Sequence, residues 1–175
     1  VTLVALSGLP GVGKSTLARA LATRLRAVWL RIDSIEQAMA DATGRVVEDD
    51  QGYRVAHAVA ADNLRLGLCV VADSVNPLAV SRAGWRAVAT AAGVPCLDVW
   101  VVCSDPAEHR RRVEGRPTEV AGLVLPTWDK VMARRFEQWD RPPLVVDTAQ
   151  ADVETCVDMV AAALEAAATL CPKMD

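Results

Sequence analysis

The chain has 175 residues, 52% of them hydrophobic but only 4% aromatic, and a formal net charge of −3. That length suits one domain of ordinary size, able to bury a core without disulfides or structural metal. The 19 basic residues are too dispersed for a long nucleic-acid track, and the apolar runs are strand-sized, too short to span a membrane.

The first apolar run, Val1 to Leu6, reads as a strand. It leads into Gly8-Leu9-Pro10-Gly11-Val12-Gly13-Lys14-Ser15-Thr16, which completes the pattern G-x-x-x-x-G-K-[ST]. Leu17, Leu21 and Leu25 then recur at helical spacing, so strand, loop and helix follow in the order a phosphate-cradling loop requires. Backbone N–H groups from Gly11 to Ser15, with the positive end of the next helix, form an anion site for a β-phosphate. Glycine is needed at Gly8 and Gly13, where a side chain would forbid the backbone angles or hold the phosphate away. Lys14 is expected to reach the β- and γ-phosphates and the Ser15 hydroxyl to ligate Mg²⁺, with Thr16 on the nucleotide side. The expected nucleotide-binding set is therefore Gly8, Pro10, Gly11, Val12, Gly13, Lys14, Ser15 and Thr16.

A second strand, Val28 to Ile32, runs into Asp33 and a helix from Ser34 to Ala40. Asp33 either caps that helix or, at a strand end beside the phosphate loop, accepts the proton of an acceptor hydroxyl; the general-base reading is preferred. A third strand, Leu68 to Ala72, ends at Asp73, read as the metal-side carboxylate and alternatively as an acid at a helix start. Asn76 follows, to anchor a substrate or hold its loop. A helix from Tyr53 to Leu66 precedes this strand and one from Leu78 to Ala92 follows it.

After the fourth strand, Leu97 to Val102, Asp105-Pro106 opens a helix to Gly115 that carries Arg112, with Arg116 four residues further on the same face. One guanidinium can stack on the base and the other reach the transferring phosphoryl group; the alternative is a solvated basic face paired with Glu108 and Glu114. Glycine and proline in Arg116–Pro126 suggest a flap, giving a lid around residues 112–126. A helix from Thr127 to Trp139 is expected to set Trp128, Val131, Met132, Arg135, Phe136 and Trp139 on one core-facing side, with Arg134 near the acceptor pocket. A strand at Leu144–Val146 and a helix from Ala151 to Ala168 close the chain.

Strands alternating with helices predict an α/β open parallel sheet covered on both faces, with the ligand beyond the carboxyl ends of the strands. The five cysteines, Cys69, Cys96, Cys103, Cys156 and Cys171, form no C-x-x-C pair and lie mostly in apolar runs, as expected of reduced thiols in a cytoplasmic protein.

Gly8–Thr16, Asp33, the run Val70 to Pro77 with Arg82, and Arg112 with Arg116-Pro117 together resemble the small P-loop kinases. Among these the chain is similar to the zeta-toxin, chloramphenicol phosphotransferase and polynucleotide-kinase-like group often labelled AAA family ATPases. The resemblance implies the P-loop kinase fold, a five-stranded parallel sheet of order 2-3-1-4-5, and ATP-dependent phosphorylation of a hydroxyl with the acid after strand two as base. It also implies places for Arg82 near the acceptor and phosphates, Arg112 near adenine and Arg116 on the lid.

The expected activity is a Mg²⁺-ATP kinase acting on a small-molecule hydroxyl. Lys14, Asp33 and Arg116 are its catalytic residues, Ser15 and Asp73 its metal residues, and Asp33, Asn76, Arg82 and Arg134 its acceptor residues. The alternatives are a polynucleotide 5′-hydroxyl kinase, against which the net acidity speaks, and a nucleotide-binding regulatory or toxin-type module. No N-K-x-D guanine-reading pattern is present. Oligomeric state and the choice between ATP and GTP stay open.

Overall fold

A computed structural model describes residues 1–170. Cys171 lies outside the described residues. The elements run β1 (Leu3–Ser7), α1 (Lys14–Leu25), β2 (Val28–Arg31), α2 (Ile32–Thr43), α3 (Gln51–Arg65), β3 (Val70–Asp73), α4 (Ala79–Ala91), β4 (Cys96–Val102), α5 (Pro106–Gly115), α6 (Trp128–Met132), β5 (Leu144–Asp147) and α7 (Val153–Leu170). The five strands are parallel in the order β2-β3-β1-β4-β5, as the resemblance implies.

Strand β1 shows why the sheet needs helices on both faces. All five of its residues are buried, and the period-two alternation of side chains splits them between two cores. Val4 and Leu6 join Leu17, Leu21, Val157 and Val160 from α1 and α7. Leu3 and Ala5 join Ala56, Ala60, Leu64, Trp85 and Ala89 from α3 and α4. The chain order reverses around β1, which lies between β3 and β4. Such a reversal opens a crevice at the carboxyl ends of the strands.

One long expected helix is broken. The segment Thr127–Trp139 is helical only over Trp128–Met132, because the backbone beyond it turns its polar groups toward a buried arginine. Arg82 is 0% exposed, and one of its terminal nitrogens donates to the carbonyls of Glu137 (3.3 Å) and Gln138 (2.8 Å). The other donates to the carbonyls of Asn76 (3.2 Å) and Pro77 (3.3 Å). The Trp139 ring lies 4.5 Å and the Phe136 ring 5.7 Å from its guanidinium carbon. Satisfying a buried cation outweighs local helical periodicity here, and Met132, expected in the core, is 53% exposed.

Replacing Arg82 with Met is therefore expected to lower unfolding stability by roughly 3–5 kcal/mol, since four carbonyls lose their donor. In the same variant kcat and KM should stay near wild type well below the melting temperature. Chemical denaturation and steady-state kinetics on one preparation would check both, and a selective rise in acceptor KM without loss of stability would return Arg82 to the acceptor site.

Candidate nucleotide and acceptor site

Gly13 occupies the N-cap of α1 with φ 95° and makes no side-chain cap, so the first amides of the helix remain available to an anion. The loop before it is fixed from three sides. A Cβ at Gly8 would lie 2.3 Å from the Val101 carbonyl oxygen, and one at Gly11 would lie 2.4 Å from Val113 Cγ2. The buried His109 Nε2 donates to the Pro10 carbonyl at 2.9 Å. The Thr148 hydroxyl, 2.8 Å from the Val12 carbonyl and 3.2 Å from that of Val102, ties the loop to the ends of β4 and β5. Gly8 and Val12 are buried supports of the loop, whereas Pro10, Gly11, Gly13, Lys14, Ser15 and Thr16 line a cavity of about 480 Å³.

Lys14 is 8% exposed and donates to the Leu9 carbonyl at 2.9 Å. Burial pulls its pKa down from 10.5 to about 8, against the opposing pull of Asp73 and Asp33. At the end of β3, burial pushes the Asp73 carboxyl up, while Lys14, the Ser15 hydroxyl and Arg31 draw it down. Asp73 Oδ2 is buried with no hydrogen-bond partner, and the Arg31 Nε is 4.0 Å from it. An orphaned buried carboxylate oxygen close to the Ser15 hydroxyl fits a hard cation that takes oxygen ligands. Among the described residues no cluster of three or more His, Cys, Asp or Glu side chains could hold a metal alone. Such an ion would draw its remaining ligands from phosphate and water, as Mg²⁺ does.

Asp33 lines the same cavity from the first turn of α2. Strand β2 ends one residue earlier than expected, and Arg31 takes the N-cap position, so Asp33 is not the cap. Glu36, one turn further on, has its carboxyl pushed up by burial and by Asp33 and drawn down by Arg134. Arg112, Arg116 and Arg134 also line the cavity. Arg112 is braced by Glu108 at 2.7 Å and by the Thr148 hydroxyl at 2.8 Å. It also borders a smaller cavity of about 260 Å³ with Gly13, Thr16, Leu17, Thr148, Ala151–Val153 and Cys156. Arg116, the residue before Pro117, is forced into extended backbone and forms the C-cap, so α5 ends at Gly115 and the Arg116 side chain turns away from the helix end. Its Nε is buried without a partner, and burial, only partly offset by Asp33, draws its pKa down.

Two acceptor assignments need correction. Arg82, as described above, and Asn76 are both 0% exposed and do not line the cavity. Asn76 adopts φ 46°, which its short amide side chain tolerates. Its Nδ2 donates to the Leu6 carbonyl at 2.9 Å, and its Oδ1 accepts from Trp85 Nε1 at 3.2 Å. Together with the Gly8 amide donating to the Val75 carbonyl at 3.0 Å, these bonds lock the β3 loop against the phosphate loop. Of the two readings of Asn76, the structure shows the loop-holding one. The cavity also contains residues that sequence reasoning missed: Arg31, Glu119 and Lys130. Arg31 donates to Glu119 at 2.8 Å, a pairing 88 residues apart that no local pattern announces.

The fold and the site define a P-loop protein of the kinase type. A family model described as an AAA domain matches residues 3–139, and the chain belongs to that family of P-loop kinases. The adenylyl-sulfate kinase of Myxococcus xanthus is 35% identical over 156 residues, 86% of this chain and 82% of that protein. Among solved structures, a protein from Chloroflexus aurantiacus superposes with a TM-score of 0.72 at 22% identity, covering 94% of this chain and 96% of the other. The Mycobacterium tuberculosis APS kinase CysC in complex with AMPPNP and APS gives 0.64 at 20% identity, covering 94% and 97%. The protein is thus a phosphotransferase of the kinase class. With its phosphate loop and kinase kinship taken together, ATP and Mg²⁺ are its cofactors. No helix among the described residues is long and apolar enough to cross a membrane.

Proposed function

We propose that the protein transfers the γ-phosphoryl group of ATP to a hydroxyl of a small molecule held opposite the phosphate loop. The observation that carries this reading is the meeting of Asp33, Asp73, Lys14 and Arg116 around one cavity. Cavities of this size are typical of small-molecule sites. The loop amides and Lys14 bind and orient the phosphates, and Ser15 with Asp73 holds the metal side. Mg²⁺, when bound, supplies charge neutralisation for the phosphates.

Asp33 takes the proton of the acceptor hydroxyl as its oxygen forms a bond to the γ-phosphorus, the bond to the bridging oxygen breaks and ADP leaves. Arg116 stabilises charge on the transferring group. Arg112, beside the smaller cavity, contacts the base. Residues 116–126 act as a lid, since Pro117, Glu119 and Leu123–Pro126 already line the main cavity, and closing it excludes water and favours transfer over hydrolysis. The reading places the reaction in the cytoplasm. The relatives described above support P-loop kinase kinship in general, and the narrower likeness to zeta toxins and chloramphenicol phosphotransferase rests on the loop and acid pattern alone.

A panel of hydroxyl-bearing metabolites, adenylyl sulfate among them, assayed with ATP and Mg²⁺ tests this reading. ADP release should require both the metal and one class of acceptor. Release at the same rate without any acceptor would make the protein a nucleotidase instead.

A further inference from the structure

The larger and the smaller cavity adjoin, since Gly13, Thr16 and Arg112 line both, and a single hydroxyl on the smaller side joins their walls. Thr148 Oγ1 accepts from Arg112 Nη1 at 2.8 Å and donates its one proton to the Val12 carbonyl at 2.8 Å, with the Val102 carbonyl at 3.2 Å. Val12 precedes Gly13, the N-cap of α1, whose free amides make the anion site. The arginine assigned to the base and the loop that cradles the phosphates therefore meet on one oxygen.

Thr148 is itself held by a fixed turn at the end of β5. Its amide donates to the Val102 carbonyl at 2.9 Å. The Asp147 carboxylate before it accepts from the amides of Ser104 and Ala149, both at 3.0 Å. Its methyl group stands against the phosphate loop, where a Cβ added at Gly13 would lie 3.4 Å from Thr148 Cγ2. A hydroxyl placed this firmly can fix the group that binds to it.

Arg112 is that group. Each of its three guanidinium nitrogens donates to the protein: Nε to Glu108 at 2.7 Å, Nη1 to the Thr148 hydroxyl and Nη2 to the Thr148 carbonyl at 3.1 Å. Such bonds lie in the plane of the group, so what remains for a ligand is its flat face, which suits an aromatic base. Arg110 and Arg111, by contrast, pair with Glu114 and Glu108 of their own helix. An arginine without such bracing gives up side-chain freedom when it stacks on a ligand, and only the remainder appears as affinity.

We infer that Thr148 is the positioning residue that lets the base of ATP contribute to binding, by fixing Arg112 and tying it through Val12 to the phosphate loop. This rests on the reading that Arg112 contacts the base, and it names the residue on which that contact depends.

Calorimetry on the whole protein with Mg²⁺ compares AMPPNP with inorganic tripolyphosphate, which fills the phosphate loop without a base. Wild type should bind AMPPNP the more tightly. T148V keeps the outline of the side chain without the hydroxyl and should lose about tenfold of that preference, whereas T148S should keep it. T148A repeats the measurement should the valine variant not fold. Because Thr148 acts through Arg112, R112A/T148V should show no smaller preference than R112A alone. A preference that survives loss of the hydroxyl, including one where both ligands weaken by the same factor, overturns the inference and leaves Thr148 a strut of the loop. A further loss in the double variant beyond R112A overturns it too. A preference unchanged in R112A removes Arg112 from the base, and this inference with it.

Discussion

Asp33→Asn is expected to lower phosphoryl transfer by about two to four orders of magnitude while leaving the affinity for Mg²⁺-ATP within a few-fold of wild type. The amide keeps the size and polarity of the side chain but cannot accept the hydroxyl proton. Local folding should be spared, because Arg31 and not Asp33 occupies the N-cap of α2. Single-turnover transfer with a productive acceptor, compared with calorimetric ATP binding, separates the two effects. Unchanged transfer would reduce Asp33 to a polar lining residue.

Lys14→Met should abolish tight nucleotide binding and yet stabilise the empty protein. The folded-state pKa of about 8 lies below the ordinary 10.5 because the ammonium is buried. Between those values the unfolded chain holds a proton that the folded chain releases, so this residue's contribution to stability rises with pH across that window. Below about pH 8 the cost is present in full, on the order of 3 kcal/mol from the shift. Methionine removes that net cost, in which the attraction to Asp73 is already counted, but loses the hydrogen bond to the Leu9 carbonyl, leaving an expected gain of about 1–2 kcal/mol at neutral pH. Triphosphate affinity should fall by about two orders of magnitude or more, as a buried charge-assisted contact is lost.

A companion result concerns protons. Phosphates beside Lys14 favour its charged form, so ATP binding near pH 8–9 should take up protons in wild type and not in the Met variant. Calorimetry in buffers of different ionisation enthalpy measures that uptake. Equal uptake in both proteins would remove Lys14 from the phosphate site.

Much of this architecture can be read before any coordinates are seen. The glycine-bracketed loop has only one backbone arrangement that serves its purpose, and β-runs ending in Asp33 and Asp73 announce carboxylates at the crevice. Local pattern fails where long-range satisfaction decides the backbone. Phe136 and Trp139 keep helical spacing in the sequence, yet the chain there unwinds to give its carbonyls to Arg82. Arg82 sits where the resemblance expects a ligand contact and Asn76 where its place after a strand allowed one, but Arg82 binds the carbonyls of two loops and Asn76 the Leu6 carbonyl of β1 and the Trp85 indole. Arg31 escapes notice inside an apolar run, and its partner Glu119 belongs to a segment without periodicity. Thr148 is one more hydroxyl after a strand until the fold brings the Val12 carbonyl and Arg112 against it.

The central claim, that ATP bound on the loop passes its last phosphorus to an alcohol opposite, is tested most directly by ³¹P NMR of the protein with ATP, Mg²⁺ and the acceptor panel. The account predicts ADP and a new phosphomonoester growing together, with the ester absent in Asp33→Asn over the same period. Inorganic phosphate appearing in place of any ester, or an ATP spectrum unchanged with every acceptor, would contradict it.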